Sequence, residues 1–303
     1  MKSLALTICA IACVVAMPVA SVQSPSGALD RIRDAGRIRL GYRGDARPFS
    51  YRDASGNAAG YSIALCQRIA DAVQAEVRQP SLSIEWVPVA ADGRFRAVQQ
   101  GAVDVLCGAD TMTLDRRRQV AFSIPIFPGG IGALLRADAP VRLQDVLNRR
   151  GATFHPTWRA AAASVLQARA FATVAGSTAQ TWLTSRVEDL QVVTEAITVA
   201  TYEAGVDAVR ARRADALFGE RAILLDAARN RAGARDLVVL DRRFTHEPLA
   251  LALGANDDAF RLVVDRALSR LYVSGELRGV YTTWFGEPDE STVTFFRWAA
   301  LPD

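Results

Sequence analysis

Apolar residues recur along the chain with two alternating periods. From Ile63 to Val77 the positions Ile63, Leu65, Cys66, Ile69, Ala70 and Val73 follow the repeat of a helix that buries one face. Shorter apolar runs, Ile38 to Tyr42, Ser83 to Val89 and Val103 to Cys107, have the length of strands, and a helical pattern from about Asp92 to Gln100 separates the last two. A first helix, Leu29 to Ala35, is ended by Gly36, a residue that accepts the left-handed conformation a helix terminus favours. Strands alternating with helices predict an α/β fold around a mainly parallel sheet.

The alternation starts afresh beyond Ala139. It predicts the strand Ala170 to Val174, a helix Thr178 to Ser185, the strand Leu190 to Val193, a helix Ala204 to Arg212 and the strand Ala214 to Gly219. Leu249 to Leu253 then resumes an apolar strand and Asp257 to Ser274 an amphipathic helix ended by Gly275, and both are expected to rejoin the first unit. The predicted organisation is two lobes, residues 28–138 with 247–303 and residues 139–246, so that the first is discontinuous. Residues 147–167 read as an insertion on the second lobe, and the tail Asp289 to Asp303 has no readable pattern.

The chain opens with Met1-Lys2-Ser3, an apolar run from Leu4 to Val15 and then small residues, the make-up of a secretory signal peptide over residues 1–20. The run is too short to cross a bilayer, so the mature protein is expected in the periplasm. Cys9 and Cys13 would leave with the signal, and Cys66 and Cys107 would meet an oxidising compartment, as either one disulfide or two buried thiols. A disulfide requires the helix carrying Cys66 to pack on the strand carrying Cys107.

Composition excludes more than it suggests. The formal net charge is only +4, and arginines alternate with acids, as in Asp30-Arg31-Ile32-Arg33-Asp34, so no stripe tracks a phosphate backbone and nucleic acid is not an expected partner. His155 and His246 stand far apart with no cysteine cluster near them, so neither a metal nor a cofactor is expected. The segment after Cys107 is the richest in chemistry. Gly108 lets a backbone approach a ligand, Thr111 and Thr113 supply hydroxyls, and Arg116 supplies a planar fork that can grip a carboxylate. The same residues would equally make a turn, a capping threonine and a solvated arginine.

Several segments, in order, resemble the periplasmic amino-acid-binding proteins of ABC importers, solute-binding protein family 3, and most closely the glutamate/aspartate branch. They are Leu29 to Arg43, Pro48-Phe49-Ser50-Tyr51, Gly60-Tyr61-Ser62, Gly101 to Asp104, Cys107 to Thr111 with Arg116 and Phe122-Ser123, Ser274 to Leu277 and Trp284-Phe285. The resemblance implies a two-lobed binding-protein fold of type II with two crossover strands, a monomer that closes on an amino acid and delivers it to an ABC permease in the inner membrane. It implies that Arg116 and Thr111 hold the ligand α-carboxylate, with Ser177 and Thr178 adding donors after Gly176 at a helix start, and that Glu220 faces the α-ammonium where the family usually has aspartate. The alternative for Glu220 is a solvated partner of Arg221. Arg43 and Arg94 match positions that hold a side-chain carboxylate, and Phe49 and Tyr51 would line an apolar wall or pack in the core.

This sequence departs from that branch at Ala91 and Ala109, which replace serines, at Asp110, which replaces a hydroxyl residue, and at Tyr202, near an expected histidine. Asp110 could pair with Arg43 or Arg94 and cancel charge meant for a ligand, leaving a neutral or cationic one. Two other functions fit the fold. A few relatives are periplasmic dehydratases of cyclohexadienyl acids, for which Glu220 or Asp110 could serve as acid or base, but no Gly-x-Ser-x-Gly elbow or nucleophile-base set is present, so an enzyme is not expected. A sensory or adaptor protein could dock through the insertion and its Trp158.

Overall fold

The computed structural model describes residues 27–148, 163–230 and 234–302. The expected signal peptide with Cys9 and Cys13, and most of the expected insertion with His155 and Trp158, lie outside the described residues. Two large sheets frame the described residues, beside a small antiparallel sheet of Asp45–Ala46, Ser50–Arg52 and Ala58–Ala59. In the first, Arg37–Tyr42 lies parallel between Ser83–Pro88 and Val105–Thr111, and Glu247–Leu253 adds antiparallel to the latter, carrying the short strands Ala121–Phe122 and Phe127–Gly129. The second runs in the order Glu195–Val199, Ala170–Val174, Ala216–Glu220, Ile131–Arg136, Leu237–Val239, with its first three strands parallel.

The helix Tyr61–Val77 turns Leu65, Cys66, Ile69 and Val73 wholly inward, each at 0 % exposure, against the first sheet. Burying such aliphatic side chains stabilises by about 1.5–3 kcal/mol each. The packing brings Cys66 to Cys107 on the strand Val105–Thr111, and the two form a disulfide with Cα atoms 6.2 Å apart. The C-terminal helices return to this lobe. Ile124 N–H donates to Asp265 at 2.8 Å, the Tyr272 hydroxyl to Pro125 O at 3.0 Å, and Ala28 N–H to Asp257 at 2.6 Å. Among the described residues no helix is long and apolar enough to cross a membrane.

Three expectations are corrected. Ile131–Arg136, placed in the first lobe by its position before residue 138, pairs antiparallel with Ala216–Glu220, so the lobes exchange at Gly129-Gly130. Pro128-Gly129-Gly130 breaks the apolar run between Phe127 and Ile131, and this break, ahead of the expected boundary, marks the crossing in the sequence. The run Leu190 to Val193 is not a strand, because the helix extends over Thr178–Leu190 and the strand is Glu195–Val199, whose residues are exposed or half-buried. The unreadable tail holds a helix, Glu290–Ala299, capped by Asp289, whose carboxylate accepts from Thr292 N–H at 2.8 Å.

The two chain crossings run side by side. Glu247 lies opposite Gly129 in antiparallel register, and Phe244 N–H donates to Ile131 O at 2.8 Å. A Cβ at Gly130 would collide with the Thr245 carbonyl, so only glycine lets the crossings approach this closely.

Candidate ligand site between the lobes

Between the lobes lies a cavity of about 40 Å³, lined from the first lobe by Arg43, Arg94, Thr111 and Arg116, from the second by Ser177, Thr178, Tyr202 and Glu220, and by Glu247 at the crossing. Arg116 opens the short 3-10 turn Arg116–Arg118, where its N–H donates to the Thr113 hydroxyl at 3.1 Å. Its guanidinium donates to Thr111 O at 2.8 Å and, across the cleft, to Gly176 O at 2.9 Å. Arg47 with Asp226 at 3.1 Å and Tyr202 N–H with Asp45 at 3.4 Å also join the lobes. The structure is thus a closed form.

The other two cleft arginines are matched by carboxylates of the protein itself. Arg43 donates in a bidentate fork to Asp45 at 2.8 and 2.8 Å. Arg94 donates through Nε to Asp110 Oδ1 at 2.5 Å, and through its terminal nitrogens to Ala91 O and Gly176 O. The guanidinium carbons of Arg94 and Arg116 lie 4.3 and 5.1 Å from the centre of the Phe95 ring, and this cation–π support fixes both. Burial, then the neighbouring Arg94, lower the Arg116 pKa to about 10, so it stays charged at neutral pH.

The acids are held without arginine. Glu247 accepts from the hydroxyls of Thr111 at 3.1 Å, Thr178 at 2.7 Å and Thr245 at 2.8 Å, so one carboxylate spans both lobes. Glu220 accepts from the N–H of Gly130 at 2.9 Å and of Ala222 at 3.2 Å, which ties its carboxylate to the crossing. A site offering an unmatched guanidinium facing two carboxylates can hold a molecule that carries both charges.

The sequence model of bacterial extracellular solute-binding proteins, family 3, matches residues 38–287. The chain belongs to this family. It is 28 % identical over 264 residues to the L-glutamate/L-aspartate-binding protein of Pseudomonas aeruginosa, covering 87 % of this chain and 81 % of that one. It is 24 % identical to the glutamate/aspartate import solute-binding protein of Escherichia coli, over 86 % of this chain and 80 % of that one. Among solved structures, the cysteine-binding protein from Campylobacter jejuni superposes with a TM-score of 0.71 at 20 % identity, covering 89 % of this chain and 98 % of the other, a likeness of fold.

In this family 3 protein, three of the residues considered for the ligand site, Phe49, Asp110 and Tyr51, stand outside the cavity lining. Phe49 is at 0 % exposure in the core, edge-on to Tyr61 and Phe127 at 6.1 and 4.9 Å, because the C-terminal helices cover it. Asp110, at 2 % exposure, lies behind the cavity wall, paired with Arg94, which lines the cavity. Tyr51 packs on Trp284 and under Arg47, away from this cavity. Gly108 serves a side chain of the protein, since a Cβ there would come within 2.5 Å of Asp110 Oδ2. Gly176 presents its carbonyl to the arginines, while its N–H goes to Gln180 at 3.0 Å. Ser177 caps the following helix, and the buried Tyr202 hydroxyl, its pKa pushed up to about 12 by burial, accepts from Glu220 N–H at 3.1 Å.

Sequence reading missed Glu247, Asp45 and Phe95. For Asp45 a signal existed in the Arg43-Gly44-Asp45 spacing, which puts opposite charges two residues apart on an extended chain. Glu247 had none, since apart from Thr245 its partners, Thr111 and Thr178, come from two distant segments.

Glu220 makes the site pH-dependent. Burial pushes its carboxyl up to about 7, against the pull of the two N–H donors, from an ordinary value of 4.5. The folded protein therefore holds this proton between those values while the unfolded chain releases it, and the Glu220 contribution to stability falls as pH rises through that window. Wild type is expected to lose about 1–3 kcal/mol relative to Glu220→Gln between pH 5 and 8 in urea unfolding. Parallel stability profiles for the two proteins would show that Glu220 does not titrate there.

Proposed function

We propose that this protein captures an L-amino acid between its lobes in the periplasm and delivers it to an ABC permease. The observation that carries this reading is the closed cleft itself, in which Arg116, bonded to neutral carbonyls, faces Glu220 and Glu247. An α-carboxylate would take the Arg116 fork, which bonds in two parallel hydrogen bonds, and the α-ammonium would take the acids of the second lobe and the crossing. Such a ligand touches both lobes at once. It therefore binds the closed form in preference to an open one and shifts the population toward closure, which is the shape difference a permease can read. The ligands named for the two curated relatives, both binding proteins for amino acids, support the class.

Thermal melts of the protein against the common amino acids, each at about 100 times its dissociation constant, are expected to show a subset that stabilises by about 2.7 kcal/mol, raising the midpoint by roughly 5 °C or more. A flat response to every amino acid would remove the reading. Conversion of prephenate or arogenate over many turnovers would replace it with the dehydratase.

A further inference from the structure

The charge arrangement of the cleft selects among amino acids. We propose that this site, taken as an amino-acid site as above, accepts ligands with a single carboxylate and turns away dicarboxylic ones, through Asp110 and Asp45 acting as built-in occupants of two arginines.

The argument is one of commitments. A dicarboxylic amino acid needs a cation for each carboxylate, and three arginines reach the cavity. Arg43 spends its fork on Asp45 in the bidentate geometry that a ligand carboxylate would want. Arg94 is paired through Nε with Asp110, while its terminal nitrogens, like those of Arg116, donate only to carbonyls, here Ala91 O and Gly176 O. Nor can Arg94 turn toward a ligand. Asp110 Oδ2 is buried with no hydrogen-bond partner among the described residues, so Arg94 is what holds this carboxylate in place, and releasing it would leave a wholly unpaired buried charge. The backbone has been cleared for the pair as well, because Gly108, two positions away on the same face of the strand, leaves the space that Asp110 fills.

Arg116 is left for the α-carboxylate. The second carboxylate of glutamate or aspartate would find no uncommitted guanidinium, and it would lie in a cavity already lined by Glu220 and Glu247. A neutral or cationic side chain meets no such conflict.

Isothermal titration of the mature protein with two near-isosteric pairs, glutamine against glutamate and asparagine against aspartate, together with alanine, serine and arginine, tests this. The amide of each pair is expected to bind at least tenfold more tightly than its acid, or, where neither amide binds, a neutral or cationic member of the panel is expected to do so. Asp110→Asn keeps the shape and removes the charge, and it is expected to move the glutamate-to-glutamine ratio at least tenfold toward the acid; Asp45→Asn gives an independent second measurement should the first variant fail to fold. Glutamate or aspartate binding wild type as tightly as its amide would overturn the selectivity and leave amino-acid capture standing. Unchanged ratios in both folded variants would overturn the role of the two aspartates. Binding of no panel member would remove the amino-acid reading itself, and this inference with it.

Discussion

Replacing Arg116 by alanine is expected to weaken capture of every amino acid by on the order of a hundredfold or more, with little change in the fold. Two losses combine. The ligand α-carboxylate loses the one guanidinium that is not matched by a carboxylate of the protein, and truncating one partner of a desolvated charge pair costs about 2–5 kcal/mol, where 1.4 kcal/mol is a factor of ten. The closed form also loses the bond from Arg116 to Gly176 O at 2.9 Å, one of the contacts that join the lobes across the cavity. That second loss is independent of the ligand and falls on the open-to-closed equilibrium. The folded lobe itself depends little on the side chain, which bonds to two carbonyls and rests on Phe95. Arg118, whose side chain is 83 % exposed in the same turn, provides the control, and Arg118→Ala should bind as wild type does. Titration calorimetry reads both. Equal affinities for Arg116→Ala and wild type would move the α-carboxylate to another donor and break the proposed arrangement of the site.

The lobes are legible in the sequence where burial is complete on one face. The helix Tyr61–Val77 and the strand Arg37–Tyr42 are such elements, with their large apolar side chains buried. Glu195–Val199 is hidden for another reason: its Ala196-Ile197-Thr198-Val199 stands beside the equally apolar Val192-Val193, and as an edge strand with exposed and half-buried residues it shows no alternation to decide between them. The exchange of lobes is marked by Pro128-Gly129-Gly130, but such a break does not say which sheet the next strand joins, and the largely buried Ile131–Arg136 would suit either. Of the expected ligand residues, Arg116, Thr111, Thr178 and Glu220 reach the cavity, and each ends a strand or opens a turn or helix, places where a fold presents side chains to a cleft. What sequence left open was partnership. Asp110 had two candidate arginines, and only the packing assigns it to Arg94 and leaves Arg43 to Asp45. Partnership is a property of three-dimensional proximity, so a list of candidate cations overstates the charge a ligand meets.

The second large effect is expected from the disulfide. Cys66 and Cys107 are 41 residues apart, and both are at 0 % exposure where the helix Tyr61–Val77 meets the strand Val105–Thr111. In the chain-entropy account, a bridge over a loop of this length destabilises the unfolded chain by roughly 4 kcal/mol. A protein of this size should therefore melt roughly 10 °C lower without it. Packing should survive, because a free thiol behaves as a small apolar group in a buried site. The strand that bears Cys107 also bears Asp110 and Thr111, so the bond fixes the wall of the cleft as well as the lobe. Since both sulfurs are buried, a thiol reductant should leave the native protein oxidised and act only after denaturant opens it. The experiment is to reduce in guanidinium, refold with reductant present, and compare guanidinium midpoints of the reduced and oxidised forms, with Cys66→Ala/Cys107→Ala as the variant that cannot re-form the bond. Coincident midpoints for all three would mean that the unfolded chain gains no freedom from losing the bridge, and that the contact between helix and strand alone stabilises this lobe.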